Sequence, residues 1–237
     1  MKRILTITAA TLAVSGTAFA GDYSTSDNER PLVLPQGMIQ VNGDVSNLTG
    51  DIGIGLGVDY GVAEGMALGV SWGGYMMGDA GGVSKAVGVD FGYSVLSDDS
   101  MDFAAGIGLP LDFGGDSPLS SVGIDGHFRY KLMDGALAIS TGDGLIGVGL
   151  GDATTLSANV GLDVSYQVAD NMAVGVGTDL VSIGLVGDGG TTVIGDAIPL
   201  RIGVGYNMDD MDFGLNVDAD AKDFGGMSLG LDFAYRM

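Results

Sequence analysis

The chain has 237 residues, nine basic and thirty acidic, for a formal net charge of −21, with no cysteine and one histidine. That balance excludes a nucleic-acid partner, whose phosphates demand a basic face, and leaves no disulfide, thiol chemistry or zinc site built on Cys and His. The length suits one domain, and after residue 20 no apolar run reaches the ~18 residues of a membrane-spanning helix.

Residues 1–20 have the layout of a secretory signal peptide. Lys2 and Arg3 give the positive start, Ile4 to Val14 a short apolar stretch, and Ala18-Phe19-Ala20 a small-residue cleavage site. Removal of Lys2 and Arg3 with this peptide would leave seven basic residues against thirty acids, a formal charge of −23. Only Glu29 and Glu64 are glutamates, so the acids are almost all aspartates; with 44 glycines they argue for turns and strands over helices. Residues 21–36 show no alternation. They read as an N-terminal leader on the periplasmic side, with an inward-folded plug as the alternative.

From residue 37 onward the pattern is one of two-residue alternation. Ile52, Ile54, Leu56 and Val58 lead to Tyr60. After a tight turn near 61–65, Met66, Leu68, Val70 and Trp72 share a face, opposite Ala67, Gly69, Ser71 and Gly73. Val87, Val89 and Phe91 lead to Tyr93. After a turn near 96–100, Met101, Phe103, Ala105, Ile107 and Leu109 alternate with small residues. A sixth strand ends at Tyr130 and a turn at 132–135. In the seventh, Ile146, Val148 and Leu150 fall out of phase with Leu137 and Ile139, which implies a bulge or an extended hairpin. Leu156, Val160, Leu162 and Val164 lead to Tyr166; a turn at 168–171 precedes Met172, Val174 and Val176. Ile198, Leu200, Ile202 and Val204 lead to Tyr206; a turn at 208–210 precedes Met211, Phe213, Leu215 and Val217. Met227, Leu229, Leu231 and Phe233 lead to Tyr235.

Longer Gly/Asp loops are expected near 47–50, 77–83, 114–119, 142–155, 184–195 and 219–226. Five turns and six loops join twelve strands, and counts of ten or fourteen are also compatible with the pattern. The intervening face is small or acidic, a poor soluble surface with little Lys or Glu. The tyrosines Tyr60, Tyr93, Tyr130, Tyr166, Tyr206 and Tyr235 gather at one end of the strands, as in an aromatic girdle at a membrane interface. The expected fold class is therefore all-β: a closed antiparallel up-and-down transmembrane β-barrel, the one backbone besides a helix that satisfies its hydrogen bonds in lipid.

On the signal peptide, the alternating ten-residue segments and the last strand Met227-x-Leu229-x-Leu231-x-Phe233-x-Tyr235, the chain resembles the outer-membrane β-barrel proteins of Gram-negative bacteria over residues 37–237. The resemblance implies an outer-membrane location, contact with outer-membrane lipid, and handling by the barrel-assembly machinery, which reads a terminal aromatic. Here Tyr235 holds that role and Arg236-Met237 follow.

Twelve strands would enclose a cylinder roughly 24 Å across. Inward parity places Asp59, Asp90, Asp112, Asp125, Asp163, Asp179, Asp212 and Asp232 on its wall, with Arg129, Arg201 and His127. Tyr75 is a bulky inward candidate. Asp90, Asp163 and Asp232 recur in Gly-Val-Asp-Phe-Gly-Tyr, Gly-Leu-Asp-Val-Ser-Tyr and Gly-Leu-Asp-Phe-Ala-Tyr, three residues before a tyrosine and on every fourth strand. The expectation is a porin-like channel for small hydrophilic solutes that prefers cations. The alternatives are a non-conducting structural or adhesive barrel, and acids that only hydrate a wide wall. No Ser-His nucleophile pair faces lipid, so no enzyme is expected, and no cofactor. Asp/Gly strings at 142–144, 187–189 and 218–223 lack calcium-loop spacing and read as turns. Whether barrels of this kind associate is left open by the sequence.

Overall fold

The alternation emerges as twelve antiparallel strands closed into a barrel. The computed structural model describes residues 26–48, 51–77, 82–114, 119, 121–141, 146–150, 154–186, 191–193 and 199–237; the signal peptide expected at 1–20 lies outside them. The strands are β1 (Ile39–Ser46), β2 (Gly53–Ala63), β3 (Met66–Met76), β4 (Ala86–Ser97), β5 (Met101–Asp112) and β6 (Ser121–Leu132). They continue as β7 in two pieces (Leu137–Ser140 and Ile146–Leu150), β8 (Thr154–Ala169), β9 (Met172–Val186), β10 (Pro199–Asn207), β11 (Met211–Asp220) and β12 (Asp223–Arg236). Two short pieces, Gly82–Val83 against β3 and Thr191–Val193 against β9, extend the lanes of β4 and β10.

Each strand pairs with its sequence neighbours, and β1 closes the ring on β12. Val41 sits opposite Val58 on one side and Tyr235 on the other, and Ile39 and Met237 exchange two backbone hydrogen bonds of 3.0 Å. Closure leaves no sheet edge unpaired, which is what hydrocarbon demands. The outer face carries Leu56, Val58, Leu68, Val70, Ile107, Ile124, Leu215 and Leu231, all exposed with nothing packed over them. The six girdle tyrosines stand on this outer face at the end bearing the tight turns. Four of them face a methionine that starts a neighbouring strand: Tyr93–Met66, Tyr130–Met101, Tyr206–Met172 and Tyr235–Met211.

The strand pattern carries two corrections, and one expected irregularity is present. The phase change in the seventh strand shows in the register: Ile139 pairs with Tyr130 and Ile146 with Ile124, so β7 carries one residue more than β6 between these pairs. The expected long loop at 219–226 is instead a tight hairpin, with Asp220 opposite Asp223. Tyr75 does not point inward. Gly74, at φ +68°, forms a bulge in β3; Trp72 pairs with Leu56 but Tyr75 with Ile54, so the face reverses and Tyr75 joins the outer surface. A Cβ at Gly74 would collide with the Ile54 carbonyl, and only glycine takes this backbone without strain.

Residues 26–38 do not trail away from the barrel. Their polar contacts and packing reach β2, β3, β5, β6, β8, β11 and the turn before β7, strands on all sides of the cylinder. A chain segment can touch opposite walls only from inside. Residues 26–36 thus take the inward course, as a stopper at the turn end.

Candidate functional site

The turn end of the lumen is a dry, ion-paired collar wrapped around residues 26–38. Two apolar clusters form here: Leu34 with Met38, and Leu32 with Val33 and Ala104, both lying against Ala67. Burying four such side chains contributes roughly 1.5–3 kcal/mol each. The wall makes room with small residues. A Cβ on Gly61 would run into the Pro35 carbonyl, and one on Gly92 would stand 3.8 Å from Val33 Cγ2. The Gly37 N–H donates to the Gly61 carbonyl at 2.7 Å, fixing the turn from the stopper into β1.

Charge holds the rest. Arg30, 1% exposed, donates two hydrogen bonds to Asp212 on β11, at 2.8 and 3.0 Å. Arg236 on β12 contacts the same carboxylate and donates from Nε to Gln40 Oε1 at 2.9 Å. On the other side Arg129 of β6 donates to Asp102 of β5, at 2.9 Å from Nε and 2.7 Å from Nη2, and to the carbonyl of Arg30. Lys131 adds a second cation to Asp102 at 3.1 Å. Asn28 donates to the carbonyls of Ala136 and Ser165, and accepts from the Ser165 hydroxyl at 2.8 Å. Buried charges survive only when paired and hydrogen-bonded, and each of these is. Inward residues of the collar are buried on β1 (Gln40), β5 (Asp102, Ala104), β6 (Arg129), β7 (Ala138), β9 (Ala173), β10 (Asn207), β11 (Asp212) and β12 (Ala234, Arg236). Buried inward residues thus recur around the circumference at the level of the stopper.

Above the collar the wall is acidic. Asp44, Asp59, Asp90, Asp125, Asp163, Asp179, Asp218 and Asp232 face inward there, and Arg201 is the one inward Arg or Lys among the described residues of this region. Arg201 sits among Asp218, Asp163 and Asp179 at 3.5, 3.7 and 3.9 Å, and its side chain is 49% exposed. Asp59 accepts from Asn42, and Asp232 accepts from Asn216 at 2.6 Å. Asp90 and Asp125 flank Gly108, and Asp44 lies opposite Asp232. The acids lie along the wall because glycine faces them on the next strand. A Cβ on Gly55, Gly69 or Gly177 would collide with the carboxylates of Asp44, Asp59 or Asp163.

The residues expected to line a pore divide accordingly. Asp59, Asp90, Asp125, Asp163, Asp179, Asp232 and Arg201 face inward above the collar. Asp90, Asp163 and Asp232 stand on β4, β8 and β12, each with different neighbours. Arg129 belongs to the dry collar, not to an aqueous wall. Asp112 is exposed at the loop end of β5, where it accepts the Gly114 N–H at 2.7 Å. His127 faces inward opposite Ala104. Sequence reasoning overlooked Arg30, Asp102, Lys131 and Arg236. The available signal was parity: inward charges at the level of the girdle tyrosines need partners. The penultimate Arg236 is explained too, since Tyr235 faces out while Arg236 turns in to Asp212.

No family model and no curated protein matches the chain. Among solved structures, it is similar to the NanC porin, with a TM-score of 0.58, 11% identity, and coverage of 83% of this chain and 98% of that one. It is also similar to the KdgM porin solved in complex with disordered oligogalacturonate, with a TM-score of 0.53, 12% identity, and coverage of 84% and 98%. The chain has the fold of the outer-membrane β-barrel porins.

Proposed function

We propose that this chain is an outer-membrane channel for small hydrophilic solutes that prefers cations. The observation that carries the reading is the upper lumen, where among the described residues eight inward aspartates accompany Arg201, the one inward Arg or Lys, and the Asp179 side chain is 58% exposed. Half-exposed charges inside a barrel require water inside it. A wall of fixed negative charge concentrates cations and repels anions. The likeness to porins supports a channel but does not extend to their solutes. The KdgM porin was solved with an anionic oligosaccharide, a class that this wall disfavours. The tight-turn end, which holds the stopper, is the periplasmic side in this reading.

The dry collar favours a second reading, a barrel that does not conduct. Single-channel current across a planar bilayer with a salt gradient separates the two. Open steps with a cation-selective reversal potential support the channel. An anion-selective potential overturns the preference, and silence from folded protein supports the second reading.

A further inference from the structure

The collar keeps its charges paired without the stopper. Asp212 is held by Arg236 as well as by Arg30, and Asp102 by Arg129 and Lys131, all wall residues. Withdrawal of residues 26–36 therefore leaves Asp212 and Asp102 paired within the wall. Of the ion pairs described above, Arg30–Asp212 is the one that breaks, and Arg30 moves into water. A plug built to stay would leave Asp212 dependent on it, because breaking a buried pair normally leaves a costly lone charge.

The surface uncovered by withdrawal also suits an aqueous wall. Among the described residues, those packed against the stopper are small, Gly61, Ala67, Gly92 and Ala104, with Met38 the one large apolar side chain. A hinge is present at Gly37, which has φ +86° and open space around it, next to a turn closed by the Met38 N–H on the Pro35 carbonyl. Leu32, Val33 and Leu34 pull the other way and make the closed form the resting one.

We propose that residues 26–36 are a displaceable gate, which shuts the turn end of the lumen at rest and swings out about Gly37 when solutes pass. The gate rests on the channel reading, and its test distinguishes the two.

The chain from residue 21, refolded and placed in a planar bilayer in potassium chloride, is compared with three variants. Gly61→Ala places a methyl group against the Pro35 carbonyl and pushes the stopper from the wall. Arg30→Ala removes its main ionic hold. Each is expected to raise the open-time fraction by about tenfold or more, the population change that follows loss of a charge-assisted hydrogen bond. Val33→Cys with Gly92→Cys ties the stopper to β4; the native chain has no cysteine, so this pair is unique. The oxidised pair is expected to be silent, and reduction to restore wild-type current. Heat-modifiable gel mobility verifies the folded barrel in each, and the cysteine pair decides if either point variant fails to fold. Equal current from the oxidised and reduced pair, with the cross-link verified, overturns the gate and leaves the channel standing. Silence in every folded variant overturns the channel reading, and the gate with it.

Discussion

Asp212 is the residue on which the collar turns, because two buried arginines share its carboxylate. Asp212→Asn leaves both cations without their anion and is expected to destabilise the folded barrel by about 3–5 kcal/mol. Arg30→Ala leaves Asp212 paired with Arg236 and should lose only about 1.5–3 kcal/mol, the worth of hydrogen bonds to a charged group. Urea unfolding of both variants in lipid vesicles checks the order. Equal losses would mean that Arg236 does not hold Asp212 unaided. At the opposite extreme of exposure, Asp98 caps the turn between β4 and β5. It accepts from the Ser100 and Met101 N–H groups, both at 2.8 Å, and from the Ser100 hydroxyl. These donors, the Ser100 backbone first, hold its carboxyl below the ordinary carboxylate range. A depressed value means that its support of the turn is complete above the unfolded value, roughly 4, and fades as pH falls through the folded one. The melting difference between wild type and Asp98→Ala should thus be constant at neutral pH and vanish in strong acid. A difference that persists in acid would assign the effect to the backbone.

At the scale of the strand, what could be read from the sequence was whatever repeats every two residues. All twelve strands are marked by alternation and six by a closing tyrosine, so closure and the outward face follow from local pattern. The failures have local causes as well. One bulged glycine in β3 reverses a face, and parity counted across it misassigns Tyr75. The stopper was illegible for a different reason. Its partners lie 99 residues away at Arg129 and 182 away at Asp212, and nothing in Asp27-Asn28-Glu29-Arg30-Pro31 encodes a partner at that separation. The lumen aspartates were legible as inward by parity, whereas the glycines that receive them needed the register.

Over the whole molecule, charge is segregated along the barrel axis. Arg30, Arg129, Lys131 and Arg236 gather with Asp102 and Asp212 in the collar, while among the described residues the lumen above holds eight aspartates and Arg201. Arg201 therefore tempers the field where the wall is most acidic. Arg201→Gln is expected to steepen cation preference, seen as a larger reversal potential in the same salt gradient, and an unchanged potential would place Arg201 off the ion path. The collar also carries a consequence for the order of assembly. Arg30 belongs to the segment before the first strand, while its ion-pair partner Asp212 lies on β11 and the reinforcing Arg236 on the last strand. The stopper cannot seat until the final hairpin has arrived, and the β1–β12 seam must close around it. A nascent barrel is open for as long as it is unfinished, and the step that completes its wall is also the first at which it can be shut.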